Sequence, residues 1–307
     1  MAHCRGAIPT PRHRLAAAYP HQLRAGVPAS FGVVPTQLSY WLNNEDGDCV
    51  TAEEAFAKAA WSVMQGLPEL FVPDTEVQRW ASANGFLNGA MVSDVLTAMA
   101  KSGFNVNGVN YTDGPAESVD YTNWATLTSA LYTGPVKIGV DADDIETAVN
   151  QTNDANGWFG AGWSDTDNQD HCVGLCGYGT VAQCYQMLGL PVPAIAAANV
   201  NNNAVLMFTW SSIGVVEFSS MVAVTSEAWL RTPTTPQQAP TPTPTPGPTP
   251  TPTPGITVPP TAIWFDPVSE TWHNGSAWKT VANSVNEQLV IARGVREICV
   301  PKGLTQV

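Results

Sequence analysis

The stretch from Pro233 to Gly255 limits what this chain can fold into more than any other. Ten of its 23 residues are proline, most of them in Thr-Pro repeats. Proline fixes φ and brings no N–H, so such a tract enters neither a helix interior nor a central strand. In the polyproline II form it spans up to about 70 Å as a semi-rigid spacer. The rest of the sequence therefore has to fold on either side of it. That divides the 307 residues into a basic N-terminal extension (1–26), a main domain (27–232), the Thr/Pro-rich linker (233–255) and a small β-rich C-terminal module (256–307).

Charge is distributed unevenly. Residues 27–232 hold 22 acidic against 5 basic side chains, a net of −17. A surface that acidic repels phosphate backbones, so nucleic acid is not an expected partner. Residues 1–26 carry Arg5, Arg12, Arg14 and Arg24 and no acid, but no apolar segment, and Pro9 and Pro11 interrupt them. They do not read as a Sec signal peptide. No run of 18 apolar residues exists, so no membrane span is expected.

The six cysteines (4, 49, 172, 176, 184 and 299) follow no framework spacing. Setting one aside as a nucleophile leaves an odd number, which argues for reduced thiols over a disulfide scaffold. His171, Cys172, Cys176 and Cys184 suggest a zinc set only in one dimension. On a strand Cys172 and Cys176 stand about 13 Å apart, and His171 faces the other side. Neither a metal nor a cofactor is expected.

Helical periodicity comes first along the main domain. It covers Cys49–Gly66, with Asp48 as N-cap, then Thr75–Ala83 and Ala90–Ser102. A helix over Asn123–Tyr132 stops at Gly134-Pro135, and Val136–Val140 reads as a strand. A short helix near Asp144–Asn150 precedes a Gly/Trp-rich loop, the strand headed by His171 and the strand Val205–Trp210. A last strand and helix fill Val215–Leu230. Helices first and strands second is the α+β order. It sets a cysteine at a helix start against a histidine on a sheet, with a cleft between them.

Two segments carry the chemistry. One is Asn43-Asn44-Glu45-Asp46-Gly47-Asp48-Cys49, and the other is Asp170-His171-Cys172-Val173-Gly174-Leu175-Cys176-Gly177-Tyr178-Gly179. A thiol needs a base to become a thiolate, and the oxyanion it creates needs donors. Cys49 at a helix N-terminus, His171 as base and the Asn43 amide as donor would supply all three. Glu45, Asp46 and Asp48 oppose a further anion there. Asn44 is an alternative donor, and either amide also suits a turn. The plain alternatives are a small buried hydrophobe at 49 and a surface histidine beside Asp170.

Asn-x5-Cys at a helix start, His-x-Val-x-x-x-Gly-Tyr-Gly on a strand and the later Thr209-Trp210-Ser211 together resemble the papain-like cysteine peptidase superfamily. Asn43-Asn44-x-x-Gly47-Asp48-Cys49 is similar to its divergent bacterial and phage-type branch, and the likeness runs over roughly residues 30–232. Cys49 and His171 are 122 residues apart, against ~130–150 in papain-like enzymes. The resemblance implies a helical half packed on an antiparallel β half. It also implies thiol-dependent hydrolysis of a peptide or isopeptide bond in a peptide or protein substrate, through Cys49, His171 and Asn43, without a cofactor.

In that family the histidine is oriented by the asparagine of an Asn-Ser-Trp triplet. The matching triplet is Phe208-Thr209-Trp210, and phenylalanine accepts no hydrogen bond. Thr209 becomes the third-member candidate, with the Asn199, Asn201, Asn202 and Asn203 loop as an alternative, and Trp210 is the expected shield of the imidazole. Two rivals stand beside the peptidase reading. One is a catalytically inert papain-like module serving as a virion or surface component. The other is a peptidoglycan-directed amidase or endopeptidase, against which the long Cys-to-His spacing argues. Lacking a Sec signal, the chain is expected to be cytoplasmic or virion-associated. In the C-terminal module, Trp264, Trp272 and Trp278 flank an Asn274-Gly275 hairpin signal. They suit a glycan or cell-surface ligand, and equally the core of a tiny domain.

Overall fold

The computed structural model describes residues 3–164 and 168–233, and the backbone of 237–238, 263–266 and 271–274. Two compact units divide the chain, residues 1–241 and 242–307. The first unit opens with β1 (Ala7–Ile8), α1 (Arg12–Ala17), β2 (Tyr19–Pro20), β3 (Phe31–Gly32), α2 (Cys49–Met64) and α3 (Asp74–Asn84). There follow β4 (Ala90–Met91), α4 (Val92–Lys101), β5 (Phe104–Val106), β6 (Val109–Tyr111), β7 (Asp113–Ser118), α5 (Trp124–Leu131) and β8 (Val136–Val140). Next come α6 (Asp143–Asn150), β9 (Phe159–Gly160), β10 (His171–Thr180) and α7 (Val181–Met187). The unit closes with β11 (Asn203–Thr209), β12 (Ser212–Glu217), α8 (Phe218–Val224), β13 (Thr225–Pro233) and β14 (Gln237–Gln238).

The architecture is α+β. The main sheet runs β2-β7-β13-β8-β10-β11-β12-β9, with β3 also on β10. Its long strands pair antiparallel. One apolar core lies under α2 and α4 and takes in Phe56, Cys172, Cys176 and Phe208. A second fills the opposite face with Leu127, Ile145, Val173, Leu175 and Met221. The two-residue alternation along β10 sends Cys172 to the first core and Val173 to the second. A register shift between Leu175 and Gly177 then turns Tyr178 into the second core.

Several expectations change. Residues 3–26 belong to the first unit instead of extending from it, because Ala7–Ile8 pairs with Ala90–Met91 and Tyr19–Pro20 with β7. The helix expected from Ala90 yields its first two residues to that pairing. Asp48 stands at the N-cap of α2, but its side chain makes no capping bond. The segment read as a last strand and helix is strand, helix and strand, and β13 lies in the middle of the sheet. Ordered backbone passes the expected linker boundary, since Pro233 is in β13 and Gln237–Gln238 pairs with Asn110 and Val109.

In the second unit Ile263–Asp266 pairs antiparallel with Thr271–Asn274. Asn274 is the last residue of the second of these strands, and the turn expected at Asn274-Gly275 lies outside the described residues, as does Trp278. No helix among the described residues is long and apolar enough to cross a membrane.

Candidate active site

Cys49 is the first residue of a 16-residue helix, α2, and is 1% exposed. N–H groups at a helix start have no partner within the helix and favour an anion there. The loop ahead of it is strained: Trp41 and Leu42 are left-handed, with φ of 48° and 70°. Burial of the Trp41 indole, whose Nε1 donates to the Val72 carbonyl at 2.8 Å, holds that conformation. It places Asn43 in the interior, where Nδ2 donates to the Asp46 carbonyl at 3.1 Å. One amide hydrogen of Asn43 is thus spent closing its own turn. Asn44 is half-buried.

His171 heads β10 with Nε2 2.8 Å from Thr209 Oγ1. Trp210 stacks on the imidazole, ring centroids 4.5 Å apart and planes 20° apart. Its own φ of 43° is the strained turn that aims the indole back over the ring. With the proton on Nε2, Thr209 accepts it and Nδ1 keeps its lone pair. Nδ1 is buried without a hydrogen-bond partner. Phe208 lies on the other face of β11, stacked on Phe56 at 4.0 Å. Strand alternation explains why the hydroxyl one residue further on reaches the histidine. The Asn199–Asn203 loop sits at the far end of the ladder, with Asn203 opposite Thr180. There Asn199 and Asn202 donate to Glu217 at 2.5 and 2.6 Å.

Electrostatics contradict the thiolate expected from the helix terminus. Burial pushes the Cys49 thiol up to about 12, and Asp48 adds to it, against hydrogen bonds from the Cys172 and Gly6 backbones and the charge of Lys137. Burial, then Arg5 and His3, bring His171 down to about 3. Thiol and imidazole are therefore both neutral at pH 7. Asp48 is buried and pushed up to about 8 by burial and by Asp46, against hydrogen bonds from its own backbone N–H and the Asn43 side chain.

The N-terminal segment, residues 3–8, packs beside both groups, a contact that sequence reasoning did not connect with the site. His3 stacks on the outer face of Trp210 at 4.1 Å and reaches Asp154 at 3.0 Å. Cys4 donates its N–H to the Asn43 carbonyl at 3.2 Å, and its own carbonyl accepts from Trp210 Nε1 at 3.3 Å. Arg5 is held by Asp143 at 2.6 Å, by Asp170 at 2.8 Å and by Glu146. The N–H groups of Gly6 and Ala7 both donate to the Asp170 carbonyl at 2.9 Å, one residue before His171. Gly6 passes so close to the turn before α2 that a Cβ would stand 1.9 Å from the Gly47 carbonyl oxygen. The signal in the sequence was Arg5 and Gly6 facing a −17 domain.

Among the described residues no group of three or more His, Cys, Asp or Glu side chains is arranged to hold a metal ion. Cys172, Cys176 and Cys184 are free and buried.

No family model and no curated protein matches the sequence. Solved structures resemble its fold. Xylellain, a cysteine protease from Xylella fastidiosa, is 11% identical with a TM-score of 0.50, over 75% of this chain and 96% of that one. Digestive procathepsin L 3 of Tenebrio molitor is 10% identical with a TM-score of 0.50, over 70% and 73%. The cysteine protease and lectin-like domains of Cwp84, a surface layer associated protein of Clostridium difficile, are 10% identical at 0.50, over 72% and 54%. The first unit of this chain therefore has the fold of the papain-like cysteine proteases.

Proposed function

We propose that the first unit is a thiol-dependent hydrolase of peptide or isopeptide bonds, held silent by its own N-terminal strand. Cys49 is the nucleophile and His171 Nδ1 the base. Thr209 orients the imidazole, Trp210 shields it, and the Cys49 N–H with the Asn43 amide receives the oxyanion. The observation that carries this reading is the His171–Thr209 bond at 2.8 Å under Trp210, which leaves Nδ1 as the unpartnered nitrogen. A histidine kept merely for packing has no need of an orienting hydroxyl on one nitrogen and nothing on the other. In the described state the pair is off, and displacement of residues 3–8 gives access to it. A glycan or cell-surface ligand remains our proposal for residues 256–307.

The deep burial of both reacting groups favours a second reading, an inert module that keeps the fold as a scaffold. A thiol-directed epoxide and a set of peptide substrates separate the two, applied to the full chain and to His3→Ala/Arg5→Ala. The hydrolase reading expects Cys49-specific labelling in the released variant. It also expects labelling to be lost in His171→Ala, and turnover to fall by about 10²-fold or more in Thr209→Val. Labelling that ignores His171 supports the scaffold.

A further inference from the structure

Beneath the nucleophile helix lies a set of charges that the proposed chemistry does not use. Glu53, Glu54 and Lys58 of α2, Asp113 of β7, Lys137 of β8 and Arg231 of β13 are each at most 4% exposed. Lys137 Nζ is 3.0 Å from Glu53 and 2.7 Å from Glu54. Arg231 reaches the same two carboxylates at 2.6 and 3.1 Å. Lys58 pairs with Asp113. Three cations balance three carboxylates, but taking six charges out of water is costly. Apolar side chains of the same shape are often no less stable, so stability alone is a weak reason for this arrangement.

Lys137 differs from the other two cations in what else it touches. Its Nζ donates to the Val50 carbonyl at 2.6 Å, one residue past Cys49. Its strand is the direct neighbour of the imidazole strand, with Val140 opposite His171 and Gly139 opposite Cys172. One ammonium group therefore ties the first turn of the thiol helix to the strand beside the histidine.

We propose that Lys137 is a positioning residue, clamped by Glu53 and Glu54, that fixes the first turn of α2 on the sheet and biases Cys49 toward the thiolate. The inference rests on Cys49 being the nucleophile. Burial works against the Lys137 charge, and Glu54 with Glu53 outweighs it, so the cation persists. Charge reaches the thiol from Asp48 in the preceding turn and from Lys137 on β8, and the Cys172 thiol on β10 lies close to it. Glu53, Glu54 and Arg231 act behind Lys137, and Arg5 and His3 act on the imidazole. Asp48, where ionised, opposes Lys137 at that helix end, and Lys137 is a buried cation that favours the thiolate there. An opposite charge at close range moves a titration by about one unit or more.

The test is the pH profile of Cys49 alkylation, read by mass spectrometry in the full chain carrying Arg5→Ala to loosen the N-terminal strand. Lys137→Met should raise the midpoint by about one pH unit and slow labelling at pH 7 roughly tenfold, and Lys137→Arg should restore most of it. Lys58→Met is the control. It disrupts the same network about 13 Å further along α2, and should lower the melting temperature without moving the midpoint. If Lys137→Met alone does not fold, Lys137→Met/Glu54→Gln removes one charge of each sign and is read the same way. An unchanged midpoint in the folded variant overturns the inference, as does an equal shift in Lys58→Met. A parent protein in which Cys49 titrates like Cys176 overturns the nucleophile reading itself, and this inference with it.

Discussion

Arg5→Ala is the sharpest probe of the proposed autoinhibition. The guanidinium holds three carboxylates, but Asp143 is 64% exposed, and solvent screening leaves that pair little energy. Glu146 and Asp170 are 28% and 25% exposed, and a charge-assisted hydrogen bond in such a setting contributes about 1 kcal/mol. Losing both weakens docking of residues 3–8 by about 2 kcal/mol, or about 30-fold in the population of the released state. Release also reverses two titrations. His171 sheds its burial and the nearby Arg5 cation, so it rises from about 3 toward the ordinary range. Cys49 falls from about 12 as water returns. A rising imidazole and a falling thiol both enlarge the thiolate–imidazolium fraction at pH 7. Alkylation of Cys49 at that pH should accelerate about 30-fold, with Cys176 and Cys184 unchanged. Gly6→Ala should act in the same direction by collision with Gly47, without touching a charge. Hydrogen exchange at Gly6–Ile8 reports release independently. Fast exchange there with an unchanged Cys49 rate would refute the reasoning.

Phe208→Asn should cost about 3–5 kcal/mol of stability, because it removes a ring stacked at 4.0 Å on Phe56, and should bring no gain in turnover. Faster hydrolysis in that variant would transfer the orienting role from Thr209 to position 208. Asp48 has a folded pKa above its unfolded value near ~3.9, so the native state retains the proton. Its stabilising effect is complete below pH ~4 and is lost as pH rises through about 8. Asp48→Asn should therefore melt increasingly above the parent between pH 5 and pH 9, and a constant difference would show that the carboxyl ionises freely. A chain ending at Leu230 lacks Arg231 and leaves Glu53 and Glu54 to Lys137 alone, so it should not melt cooperatively. A chain ending at Thr241 should melt as the first unit does, and a cooperative transition in the shorter chain would show the network to be dispensable.

The parts of this protein legible in its sequence are those set by local periodicity. The start of α2 at Cys49, the span of β8 and the stop of α5 before Gly134-Pro135 follow from apolar spacing and backbone limits over a few residues. The same holds for His171 at the head of a strand, and for the likeness that led to a papain-like fold. β7 and β13 were not legible. No element is expected over Asp113–Ser118, and a helix is expected where β13 begins; alternation offers no reason to bury charged side chains such as Glu227 and Arg231. Both are buried with partners distant in sequence: Glu53 and Glu54 neutralise Arg231, and the Thr10 N–H and the Gln169 amide donate hydrogen bonds to Glu227. The burial of His171 likewise involves contacts such as Arg5 to Asp170 and His3 to Trp210. Sequence determined which side chains are available for thiol chemistry. Tertiary structure decided their charge state, because desolvation and ion pairing depend on what is packed nearby in space and not on what is adjacent along the chain.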